Sequence, residues 1–254
     1  MSDVPFPAAP AVPETPALTQ MQRIIYTFTA PSKTFNDIRR SNGWWMPFLI
    51  LAIAGYILFG AVTTKIGMQQ VVDNQMHMDP KAEARMASAP PDQKAMTEKI
   101  SLYVTEGIFI ANPVLVLIGV GVLSLVLWAT VNFGFGGKAR YFDVFSVWLY
   151  ASLPSVIKTL LGTAVIFSGQ DPESFNIKNF APTNAGAFLN PLETNKALYA
   201  LASSLDVITI WTLVLLSIGV ATVAGVKRSS GYIAVFGWWA LLVLIGVGWA
   251  AAFS

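Results

Sequence analysis

Five stretches of the chain stay apolar for about the 20 residues a helix needs to cross ~30 Å of hydrocarbon: residues 44–64, 108–133, 142–167, 198–226 and 232–253. Between them the pattern turns polar. This alternation predicts an all-α, polytopic membrane protein, a bundle of five transmembrane helices occupying residues 44–254. The third and fourth stretches each hold a charge well inside, Lys158 and Asp206. Both are still long enough to span, because an ionised side chain is tolerated where it faces other helices.

Residues 1–20, "MSDVPFPAAPAVPETPALTQ", hold five prolines and no apolar run. They are expected to form a disordered Pro/Ala-rich tail and not a cleaved signal peptide. In residues 21–43, Ile24, Ile25, Phe28, Phe35 and Ile38 alternate with Arg23, Lys33, Arg39 and Arg40. That pattern predicts a cytoplasmic amphipathic segment lying on the membrane surface and interrupted at Pro31. Arg23, Lys33, Arg39 and Arg40 are its candidate contacts to anionic lipid, and a protein partner could dock on the same region.

The connections carry helix signals of their own. Asp79-Pro80 and Pro91-Asp92 predict two short helices in the first long loop, the second running on into the second span. "NPLETNKALYALASSLD" predicts a helix capped by Asn190, with Pro191 in its first turn and Glu193 near the free amides. The fourth helix is therefore expected to start outside the bilayer. Small residues recur every four positions as Ser217, Ala221 and Gly225 on the fourth span, and as Ala151, Ser155, Thr159 and Thr163 on the third. Such ridges predict close helix contacts.

Charge distribution sets the orientation. The N-terminal region and the short turns "GGKAR" and "VKRSS" share one side, with eight basic and three acidic residues, and the long loops share the other, with seven and nine. Basic residues against the span ends, Lys138, Arg140, Lys227 and Arg228, predict a cytoplasmic N-terminus and an external C-terminus.

Composition narrows the chemistry. With 54% hydrophobic and 12% charged residues and a mean hydropathy of +0.57, the chain has too few charges to cover a water-soluble globule. Its 16 basic residues form no stripe, so nucleic acid is not an expected partner. There is no cysteine and one histidine, His77, which leaves no ready base for a nucleophilic site. "GFGG" at 134–137 lacks the lysine and hydroxyl spacing of a phosphate loop and reads as a tight turn. Met76, His77 and Met78 are soft or borderline ligands, but alternating positions on a loop seldom close a coordination sphere. Neither catalysis nor a metal or cofactor is expected.

Lys158 and Asp206 are harder to dismiss. Counted from the external ends of their spans, they lie nine residues before Phe167 and eight beyond Leu198, at depths of roughly 14 and 12 Å. Antiparallel neighbours would present them at one level as an intramembrane polar pair. Pro154, four residues before Lys158, removes an amide bond to the Tyr150 carbonyl and predicts a break with a bend or hydration site.

The order and spacing of "APSKTFNDI", "GWWMPFLIL", "FGFGGKARYFDVFSVWLYASLP" and "LDVITIWTLVLLSIGVATVAGVKRSSGYIAV" resemble the Yip domain family of five-span membrane proteins, in its bacterial branch. The resemblance covers residues 21–254. It implies a multi-pass protein of the bacterial inner membrane with no established reaction. Eukaryotic members bind prenylated Rab GTPases and carry an Asp-Leu-Tyr-Gly-Pro type motif before the first span. This chain has Asn42, Gly43, Trp44, Trp45, Met46 and Pro47 there, so a Rab-type partner is not expected. Two functions remain in contention: a non-enzymatic membrane adaptor or organiser, and a small transporter or channel component that uses Lys158 and Asp206. A polar cavity reaching either charge would favour transport, and charges sealed within packed helices would favour the adaptor.

Overall fold

The computed structural model describes residues 16–252. Most of the expected tail, residues 1–15, and the last two residues lie outside the described residues. Eleven α-helices follow one another among those described, and five of the helical stretches are long and apolar enough to cross a membrane. Helices α1 (Gln20–Thr29) and α2 (Pro31–Ile38) form an N-terminal hairpin. The first span is α3 (Trp45–Ala61), extended by a π-helical turn, Val62–Ile66. Two loop helices follow, α4 (Met68–His77) and α5 (Pro80–Ser88), the latter capped by Asp79. The second span, α6 (Pro91–Ala129), begins with Pro91 in its first turn, far outside its apolar part, and ends in a π-helical turn, Thr130–Gly134. The third is α7 (Tyr141–Ala151) and α8 (Pro154–Phe167). After the second long loop and α9 (Lys196–Ser204), the fourth span is α10 (Val207–Ala224) and the fifth α11 (Arg228–Ala252).

Helix α10 is central, packed on α2, α7, α8 and α11, while α3 packs on α6 and α8. Its C-terminus is made by Gly225 in the left-handed conformation, φ 68°, a geometry other residues adopt only with strain. The neighbouring turn between the second and third spans uses Gly136 the same way, φ 69°. The two turns are joined by the Lys138 amide donating to the Ala224 carbonyl at 2.9 Å. At the α10–α11 crossing, Ser217 and Ala221 of the small-residue ridge meet Gly231 so closely that a Cβ there would collide with the Ser217 carbonyl. Gly231→Ala should therefore cost about 1–3 kcal/mol in detergent unfolding assays. Gly237→Ala, on an open stretch of the same helix, should be neutral; equal effects would place the two helices apart.

Two helix starts differ from expectation. Asn190 caps only a turn, and the cap of α9 is Asn195, five residues later, whose side chain accepts from the amides of Ala197 and Leu198. Asn190 and Asn195, with four residues between them, offered two equivalent caps, and packing of the segment after the second against α11 selects it. The fourth span starts at Val207, because Leu205 leaves helical geometry and Asp206 is extended. Asp206 thus stands at the mouth of α10 and not eight residues into it.

Candidate functional site

Asp206 is positioned by backbone pairing. Residues Asn184 and Asp206 form an antiparallel bridge, with the Val207 amide donating to the Thr183 carbonyl at 3.0 Å. The carboxylate then serves three elements. Its Oδ1 caps α10 by accepting from the Thr209 amide at 2.8 Å. Its Oδ2 accepts from the Thr183 hydroxyl at 2.6 Å and from Lys158 Nζ of α8 at 2.8 Å. Burial pushes this carboxyl up, but the hydrogen bonds from Lys158, Thr183 and the Thr209 amide, with the Lys158 charge, hold it below the usual carboxylate range. The Asp206 side chain is 3% exposed and that of Lys158 23%. Lys158 also stands 5.8 Å from the centre of the Phe180 ring, in the same loop as Thr183. The pair ties the third span, the fourth span and the second long loop together at one point. Thr183, the third partner, gave no signal in the sequence because its loop has no periodicity.

A second ion pair lies in the N-terminal hairpin. Arg23 Nε and Nη2 both approach Asp37 Oδ2 at 2.7 Å, with side chains 2% and 6% exposed. The Leu18 amide reaches the other carboxylate oxygen at 3.2 Å, and the Thr27 and Thr34 hydroxyls both donate to the Arg23 carbonyl. Tyr150 of α7 meets this hairpin, its hydroxyl 2.7 Å from Gln20 Oε1 and 3.1 Å from the Gly43 carbonyl oxygen. Phe35 and Ile38 are fully buried, and Phe35 packs over Gly219 beside Val147.

These contacts correct the reading of Arg23 as a lipid contact: it is sealed inside the protein by a carboxylate fourteen residues away. They also divide the expected lipid-facing set, since Phe35 and Ile38 face α7 and α10, whereas Met21, Ile25 and Phe28 remain exposed. Lys33, Arg39 and Arg40 stay at the surface, with Lys33 5.1 Å from the centre of the Tyr26 ring.

The hairpin shares one end of the bundle with both short turns. Arg228 Nη2 donates to the Ser32 hydroxyl at 3.2 Å, and Arg140 Nη2 to the Arg39 carbonyl at 2.7 Å. Arg140 also grips Asp143 with two bonds of 2.8 Å. Lys33, Arg39, Arg40, Lys138, Arg140, Lys227 and Arg228 are all exposed at this end, and its two acids among the described residues, Asp37 and Asp143, are buried.

Pro154 sits at the first position of α8, after a break at Ser152 and Leu153. The Leu153 amide donates to the Tyr150 carbonyl at 3.1 Å, so the carbonyl orphaned by the proline finds a partner three residues on. Beside the break lies a cavity of about 500 Å³ between α3, α6 and α8, with Ser152, Ser155, Thr159 and Asn112 in its walls. Ser155 and Thr159 of the small-residue ridge on the third span line this cavity. Neither Lys158 nor Asp206 lines this cavity.

The profile of the Yip1 domain family matches residues 25–250. Membrane protein YknW of Bacillus subtilis (strain 168) is 23% identical to the chain over 232 residues, which is 90% of each sequence. No solved structure matches.

Proposed function

The chain belongs to the Yip1 domain family, and from that premise we propose that it is a non-enzymatic membrane adaptor whose basic end engages an acidic partner at the cytoplasmic surface of a bacterial inner membrane. The carrying observation is the charge segregation at that end. Seven basic side chains stand at the surface, while Asp37 and Asp143 are withdrawn into bonds with Arg23 and Arg140. An array of that kind attracts anionic headgroups or acidic protein segments at about 1 kcal/mol per basic residue. Locking the hairpin onto α7 and α10 gives the array a fixed shape, which a partner can recognise.

The Lys158–Asp206 pair supports the same reading. A transport path would need Lys158 or Asp206 on a polar cavity, whereas Asp206 is held by three donors and neither charge lines the cavity beside Pro154.

One experiment tests the reading and its orientation together. Lys138→Cys should react with a membrane-impermeant maleimide in inverted vesicles and not in right-side-out ones. Crosslinking from the same position in native membranes should capture a recurrent acidic protein, and Lys33→Glu with Arg39→Glu should weaken that capture by roughly twentyfold or more. Labelling from the outside, or capture indifferent to charge reversal, would reject the proposal.

A further inference from the structure

The cavity between the first three spans has a wall that the adaptor reading leaves unused. It contains no Asp, Glu, Lys, Arg or His, so it presents neutral groups on an otherwise apolar surface. On the side of the third span, the Ser152, Ser155 and Thr159 hydroxyls donate to the carbonyls of Trp148, Ser152 and Ser155, at 2.9, 2.7 and 3.0 Å. Their protons are spent, and what they offer the cavity is oxygen lone pairs. On the α6 side stands Asn112, whose carboxamide has no hydrogen-bond partner among the described residues. Room for it comes from Gly55 of α3, where a Cβ would lie 3.1 Å from Asn112 Nδ2. Pro113 follows directly inside the helix and leaves the carbonyl of Phe109, another lining residue, without its helical donor. An unmatched amide in a spanning helix is costly in hydrocarbon. The cavity volume, about 500 Å³, falls in the range of small-molecule sites.

We propose that this cavity binds an uncharged lipid bearing a free hydroxyl, of the diacylglycerol or long-chain alcohol class. One hydroxyl completes both walls at once: it accepts from Asn112 Nδ2 and donates to a Ser155 or Thr159 oxygen. The apolar surfaces of α3 and α6 take the hydrocarbon. A charged headgroup is excluded, since entering the cavity would strip its hydration without supplying a counter-charge.

The test uses the full chain purified in an uncharged detergent and a diacylglycerol carrying a diazirine on one acyl chain. Photolabelling should saturate, map by mass spectrometry to peptides containing Phe109–Asn112 and Ser152–Thr159, and be competed by unlabelled diacylglycerol. The 3-O-methyl ether, which cannot donate, should compete about tenfold less well, the effect of one hydrogen bond near 1.4 kcal/mol. Asn112→Leu should fall by a similar factor with its unfolding temperature unchanged or raised, and Asn112→Gln, which keeps the amide, should label more strongly than Asn112→Leu. Labelling spread along the lipid-exposed faces, equal competition by the ether, or an Asn112→Leu protein that labels like the wild type would overturn the site.

Discussion

Asp206→Leu should lower the unfolding free energy by on the order of 3 to 5 kcal/mol, and Lys158→Met by a comparable amount, because either leaves a partner ion without its counter-charge in a water-poor setting. The two losses differ in kind. Lys158→Met strands a carboxylate that is 3% exposed but still held by the Thr183 hydroxyl and the Thr209 amide. Asp206→Leu strands an ammonium that is 23% exposed, and it also removes the cap of α10, a further loss of about 1 kcal/mol. The double variant should therefore recover most of the deficit and stop about 1–2 kcal/mol below wild type, the residue of the lost cap and of an unpaired Thr183 hydroxyl. Asp206→Asn, which keeps the cap acceptor, should fall between. Chemical unfolding in detergent reads all four proteins. Near-neutral single variants, or a double variant equal to their sum, would mean that the ion pair contributes nothing.

Arg23→Met should unseat the N-terminal hairpin. Among the described residues it leaves Asp37, 6% exposed, with the Leu18 amide alone on its carboxylate, and a buried ion pair broken on one side again costs roughly 3 to 5 kcal/mol. The five spans do not depend on this contact for their own apolar burial, so the loss should appear as local opening and not as global unfolding. Trypsin should then cut after Lys33 and Arg39 at least tenfold faster in Arg23→Met than in wild type, while fragments from the spans remain protected. Substituting Asp37→Leu as well should restore much of the resistance. Unchanged cleavage in the single variant would show that Phe35 and Ile38 hold the hairpin without the ion pair.

Hydropathy made the number of spans legible because crossing hydrocarbon demands length and apolarity together, and five windows met both. Local signals worked where a single cap decided the outcome, as at Asp79. They went astray where two caps competed, as with Asn190 and Asn195, and where one residue had two meanings. Asp206 was read as a charge within a span, yet an Asp before "VITIW" is equally a helix start. The contact between Lys158 and Asp206 followed from antiparallel order even though the depth of Asp206 did not. The hairpin was the largest departure. Hydropathy reports that Phe35 and Ile38 avoid water, but not whether lipid or another helix receives them, and nothing local to Arg23 announces a partner fourteen residues on across a turn.

The seat of the hairpin lies far along the chain. Phe35 rests against Gly219 and Val147, so the pocket that receives the first two helices does not exist until the fourth span has been made. Synthesis at about 5–20 residues per second puts roughly 10 to 40 s between the appearance of Phe35 and that of Gly219. During that interval Arg23 and Asp37 emerge with no bundle to enclose them. Closing of the hairpin is then a late event in biogenesis, and a closed hairpin reports that at least the third and fourth spans have been inserted and packed.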